Sequence, residues 1–187
     1  MRIRHPLLWT GTLCILVGVV AVFAAVMLLS GGGDDRPAYA YPVQTFEDLG
    51  RTHMPPGQVF DGYSSEPPTS GPHSSVPAPW GVSDVEQPKE VPVHNMEHGG
   101  VVVWYNCAGG PSPLDKNACE QLRSQLAGIV TRLAAGGRLV MMTPYSNMPD
   151  RIALTAWQTL DAFDEFDLAR VQAFISAYER RFNPEGF

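Results

Sequence analysis

Eleven of the 17 prolines fall between Pro37 and Pro92. Each removes a backbone donor and fixes φ, so this stretch is neither mostly helix nor central strand. It is expected to be a long ordered loop layer, with one short helical turn near Thr45 to Gly50. Phe60, Tyr63 and Trp80 argue for order, because disordered segments are poor in aromatics. A loop this long in an ordered domain usually carries function.

Beyond Gly99 the pattern becomes regular. Val101 to Tyr105 is a β-branched and aromatic run, which predicts a buried strand. Asp115 caps a helix with Ala118, Leu122, Leu126, Ile129, Val130 and Leu133 at three- and four-residue spacing, ended by Gly136-Gly137. Arg138 to Met142 predicts a second strand, stopped by Pro144, and Ile152 to Thr159 a third. Asp167 caps a last helix with Leu168, Val171, Phe174, Ile175, Tyr178 and Phe182 on one face, closed by Asn183-Pro184. The first two strands should lie parallel through a right-handed crossover, with the third returning antiparallel. The expected fold is α+β: a small mixed sheet with a βαββα core, two helices packed on it and the proline-rich loop layer, preceded by one transmembrane helix.

That helix is read from Leu7 to Leu29, an uncharged apolar run. At about 1.5 Å per residue it is long enough to cross a hydrocarbon core of roughly 30 Å. A cleaved signal peptide would have a shorter apolar region and a small-residue cleavage site directly after it, and Ser30-Gly31-Gly32-Gly33 supplies none. Arg2 and Arg4 precede the run and Asp34 and Asp35 follow it, which places the N-terminus in the cytoplasm. The expected organisation is a cytoplasmic tip at residues 1–6, a transmembrane helix at 7–30, a linker at 31–44 and an extracytoplasmic α+β domain at 45–187. Without Arg2 and Arg4, 11 of the 13 basic residues face 19 acidic ones, a net charge of −8. Such a balance excludes nucleic acid as a partner and leaves the membrane, reached through the N-terminal helix, as the expected contact; no protein partner follows from the sequence. Of three cysteines, only Cys107 and Cys119 lie in the exported part, and an isolated pair there predicts a disulfide.

Four of the five histidines, His53, His73, His94 and His98, sit in the loop layer or where it meets the first strand, and residues 99–187 contain none. Histidine is the commonest metal ligand, and metal sites need convergent donors. In His94-Asn95-Met96-Glu97-His98 the two histidines share one face of a helical turn. The same letters match the H-x-x-E-H zinc-peptidase motif, which needs a long helix through both histidines. Gly99-Gly100 and the strand exclude that helix. His73 follows Pro67-Pro68-Thr69-Ser70-Gly71-Pro72, a backbone with few alternatives. In a blander reading the histidines only cap the strand and bond to backbone.

Those two segments, together with His98-Gly-Gly-Val-Val-Val-Trp-Tyr105 and Ile152-Ala-Leu-Thr-Ala-Trp157, resemble the bacterial family catalogued as domain of unknown function 3105. The resemblance spans roughly residues 45–182 and implies a shared fold and shared histidine positions, but no activity.

The preferred expectation is an extracytoplasmic metal-binding protein with His73, His94 and His98 as ligands and Glu97 as a fourth ligand or an orienting partner, His53 mattering less. Copper and zinc both suit imidazole, and copper is slightly favoured because the compartment is oxidising and nearby Met54 or Met96 could assist. Met141 and Met142, read as ending the second strand, should lie roughly 16 Å from His98 at about 3.3 Å per residue and fill the core. Trp157 is expected to return towards the histidines. The alternatives are a metal-free structural or interaction module of the cell envelope, and a zinc-dependent hydrolase with Glu97 as general base; catalytic residues are not assigned.

Overall fold

The structure, a computed structural model, describes residues 37–182. The expected cytoplasmic tip, the transmembrane helix and the closing Asn183-Pro184 lie outside the described residues. Among those residues no helix is long and apolar enough to cross a membrane.

The elements run β1 (Gln44–Thr45), β2 (His53–Met54), β3 (His73–Ser74), β4 (Gly81–Val82), α1 (Glu90–Glu97), β5 (Val101–Tyr105), α2 (Lys116–Ala135), β6 (Val140–Pro144), β7 (Ile152–Ala156), β8 (Thr159–Phe163) and α3 (Leu168–Tyr178). Among the described residues they make a six-stranded mixed sheet in the order β1-β8-β7-β5-β6-β4, with β2 and β3 paired separately. The strand β6 is parallel to both β4 and β5, and β7 is antiparallel to β5 and β8. The α+β class and the parallel β5–α2–β6 unit follow the sequence pattern.

The alternation within β5 divides the core. Val101, Val103 and Tyr105 join Leu122, Leu126, Ile129 and Val130 of α2 and Val171, Phe174 and Ile175 of α3. Val102 and Trp104 face the other way, onto Val93 and Met96 of α1 and onto Trp157 and Met148. Successive strand residues point to opposite faces, so one five-residue strand anchors both layers. Each fully buried Val, Leu, Ile or Phe contributes about 1.5–3 kcal/mol to that arrangement. Asp115 and Asp167 cap α2 and α3 as expected, accepting from the backbone N–H of Ala118 and Arg170.

Four expectations change. The turn near Thr45 to Gly50 is not helical; Gln44 and Thr45 instead pair with Leu160 and Thr159. A third helix, α1, opens inside the proline-rich stretch. Pro92 sits in its first turn, where the missing N–H has no intrahelical partner to lose. The run Ile152 to Thr159 is two strands, folded back at Trp157-Gln158, where Gln158 takes a φ of 62°. Finally, α3 stops at Tyr178, before Phe182. Glu179 leaves the helix and its carboxylate bonds to Arg138 and, at 2.6 Å, to the Leu139 N–H.

The methionine argument also needs correction. β6 starts at Val140 beside Val101, so Met141 lies beside Val102 and Met142 beside Val103. They are at the same end of the sheet as His98, not the far end. Both are nonetheless fully buried core residues, on opposite faces.

Candidate metal centre

Three short segments meet over the α1 side of the sheet. β2 and β3 pair in parallel, with His53 and His73 at the same register. Ladder bonds from His73 N to Thr52 O (2.9 Å) and from Ser75 N to Met54 O (2.8 Å) hold them together. The turn before β3 depends on Gly71, whose φ of +123° few other residues adopt and whose Cα lies close under Tyr63. Tyr63 donates to the Pro72 carbonyl at 2.6 Å. The third segment is α1, which ends at Glu97; Gly99 turns the chain at a φ of +81° directly into β5.

Asn95 locks the loop to the helix. Fully buried, it accepts from Ala78 N–H and donates to Ala78 C=O, both at 2.9 Å. Its own carbonyl accepts from Gly100 N–H.

The donors converge as follows. His73 Nδ1 donates to the Gly71 carbonyl at 2.8 Å, and His94 Nδ1 donates to the Ser74 carbonyl at 2.7 Å. A carbonyl only accepts, so each Nδ1 carries a proton and each Nε2 is turned inwards, that of His73 to Glu97 and that of His94 to His98. Glu97 Oε2 lies 3.0 Å from His73 Nε2 and 3.1 Å from His53 Nε2. The ligand atoms of His53, His73 and His94 lie within 4.8 Å of one another, a grouping able to hold a metal ion. The His53 ring stacks on His94 at 4.8 Å, and Trp157 stands edge-on to His73 at 6.2 Å, returning to the site as its position after β7 led one to expect. His73 and Glu97 are buried, His94 is buried, and His53 is exposed. Burial holds the His94 imidazole below its ordinary pKa; the Ser74 carbonyl opposes this, and the neighbouring imidazoles add to it.

Of the expected donors, His73 and His94 belong to the grouping able to hold an ion, and Glu97 touches His73 and His53. His98 adjoins the cluster, its Nε2 2.8 Å from His94 Nε2. The third imidazole grouped with His73 and His94 is His53, which sequence reasoning ranked lower. The one signal available was compositional: His53 belongs to the same histidine-rich stretch as the others. Alternation along β2 turns buried Met54 to the face opposite His53, and Met96 packs in the core between α1 and the sheet. The grouping able to hold an ion is made of imidazoles, which suit copper and zinc alike.

Residues 53–186 match the family model described as "Protein of unknown function (DUF3105)". The chain belongs to that family. No curated protein and no solved structure matches the chain significantly. The family description assigns no chemistry, so chemistry has to come from the donors themselves. Cys107 and Cys119 form the expected disulfide, tying the residues just after β5 to the first turn of α2.

Proposed function

We propose that this DUF3105 protein binds a divalent metal ion through His53, His73, His94 and Glu97, with His98 beside His94 as a reserve donor, in an extracytoplasmic domain anchored by the N-terminal apolar segment. One observation carries the reading. His73 and His94 direct their Nδ1 N–H groups to main-chain carbonyls and turn Nε2 inwards, and the buried Glu97 carboxylate meets the Nε2 atoms of His73 and His53. The ligand atoms of His53, His73 and His94, gathered within 4.8 Å of one another, form a grouping that can hold a metal ion. Outer hydrogen bonds of this kind fix the tautomer of metal-bound histidines. Ligands about 2.0–2.1 Å from a tetrahedral ion lie roughly 3.4 Å apart. The two Glu97 contacts, 3.0 and 3.1 Å, already approach that spacing. The exposed ring of the set is His53. Three imidazoles and one carboxylate suit zinc or copper(II), whereas copper(I) would want sulfur.

Elemental analysis of untagged protein is expected to give one ion per chain. Saturation at about a hundred times Kd should add about 2.7 kcal/mol of stability, roughly 5–10 °C in Tm for a domain of this size. His73→Ala and His94→Ala should abolish stoichiometric binding. Folded protein with no stoichiometric metal would replace this reading with a metal-free interaction module.

The Cys107–Cys119 disulfide supports placement in an oxidising compartment, and the charge asymmetry around the apolar segment supports a cytoplasmic N-terminus. An export-dependent reporter fused after Phe187 is expected to be active; activity only from a cytoplasmic reporter would overturn the topology.

A further inference from the structure

We infer that the cluster is an exchange site, which passes its ion to an incoming donor through the His53 side, and not a permanent cofactor pocket. The inference rests on the metal reading above and adds to it a direction and a mode of release.

The donors divide sharply by accessibility. The side chains of His73 and Glu97 are 0% and 3% exposed, and His94 as a residue is 5% exposed; the His53 side chain is 43% exposed. The inner three are also the anchored ones. His73 and His94 are pinned at Nδ1 by the Gly71 and Ser74 carbonyls. Glu97 is in the last turn of α1, immediately before the turn into β5. His53 is placed by a two-residue strand whose flanks, Arg51, Thr52 and Pro55 to Val59, are exposed. Its ring lies against His94 and its Nε2 reaches the same Glu97 oxygen that His73 contacts. Outward rotation of the ring would break its contacts with His73, His94 and Glu97, and its exposure gives it solvent to turn into.

An ion on the inner three donors is met from the exposed side by His53, with half-buried His98 beside His94. Release then proceeds by substitution. A lone pair from an incoming imidazole, carboxylate or thiolate forms a bond to the ion as the His53 Nε2 bond breaks, and the inner bonds are replaced in turn. No electron is transferred, and the ion never passes through bulk water as a free species.

The test uses the full chain in detergent, loaded with one equivalent of Zn2+ and mixed with increasing concentrations of a chromogenic chelator. The release rate of the unaltered protein is expected to rise in proportion to chelator concentration. His53→Ala, which removes the exposed donor, is expected to hold the ion more weakly and to release it at least tenfold faster. A rate independent of chelator concentration overturns the inference while leaving the metal centre intact, and needs no variant. A His53→Ala protein that is folded by its thermal melt and releases its ion no faster than the parent also overturns it. Failure of the unaltered protein to bind Zn2+ at all removes the metal reading together with this one.

Discussion

Asn95 offers the sharpest test of how the site is held. Its side chain is fully buried and makes two bonds to one residue, accepting from the Ala78 N–H and donating to the Ala78 carbonyl, each at 2.9 Å. Asn95→Ala leaves both main-chain groups without that partner in a buried loop. A buried polar group stripped of its partner costs about 1–3 kcal/mol, so the pair should cost about 2–6 kcal/mol. For a domain of this size each kcal/mol lowers Tm by about 2–4 °C, giving a fall of roughly 5–20 °C. The loop concerned also carries Ser74, whose carbonyl orients His94. Loosening an outer partner of a metal-binding histidine typically weakens binding about 10–100-fold. Calorimetry of the apo protein and metal titration of the same sample measure both effects. Asn95→Asp separates the two bonds: its carboxylate still accepts from the Ala78 N–H but faces the Ala78 carbonyl, so at neutral pH it should be no more stable than the alanine variant. An Asn95→Ala protein that melts within about 2 °C of the parent would refute the idea that this pair fixes the loop.

Two further outcomes are expected. The His94 imidazole is held below its ordinary value of about 6.5, so protonation favours the unfolded chain. Its contribution to apo stability should be undiminished above about pH 6.5 and should be lost as pH falls from there through the lowered folded value; urea unfolding from pH 8 to pH 5 should show that decline, smaller in His94→Asn. Replacing Cys107 and Cys119 together by Ser opens a loop with a sequence separation of 12. The chain-entropy model gives about 3 kcal/mol for such a loop, read as a lower denaturation midpoint; an unchanged midpoint would contradict it.

What could be read from the sequence was local. α2 and α3 announce themselves through Asp115 and Asp167 and through apolar residues at helical spacing, and the structure keeps both caps. Val101 to Tyr105 reads as buried because all five residues are apolar or aromatic, as a strand packed on both faces must be. Illegible features depend on distant partners or on unusual turn chemistry. The β7–β8 hairpin turns at Trp157-Gln158, with no Gly, Asn or Pro to mark it. Pro92 hid α1, because a proline in a first turn and one in a loop look alike. His53 reaches the cluster through a two-residue pairing with β3, and no local pattern predicts which short extended segments meet. For the same reason the directions of Met54 and Met96 were open until β2 and α1 were in place.

The sheet ends at both sides in strands of only two residues, β1 on β8 and β4 on β6. A long open strand edge is a template for another chain to add to, and natural sheets blunt such edges. Here β1 lies three residues beyond Pro37 to Tyr41 and directly after Pro42-Val43, where no ladder donor is available from the proline. On the other side the chain past β4 stays against β6: Ser83 N–H bonds to Met142 O at 2.8 Å, and the Thr143 hydroxyl bonds to Val85 O and accepts from Gln87 N–H. Each edge thus offers only a two-residue ladder, continued past β4 by irregular chain bonded to β6. The proline-rich layer that carries the histidines also keeps the sheet from recruiting its neighbours, so shortening that layer should expose the protein to aggregation as well as strip it of its donors.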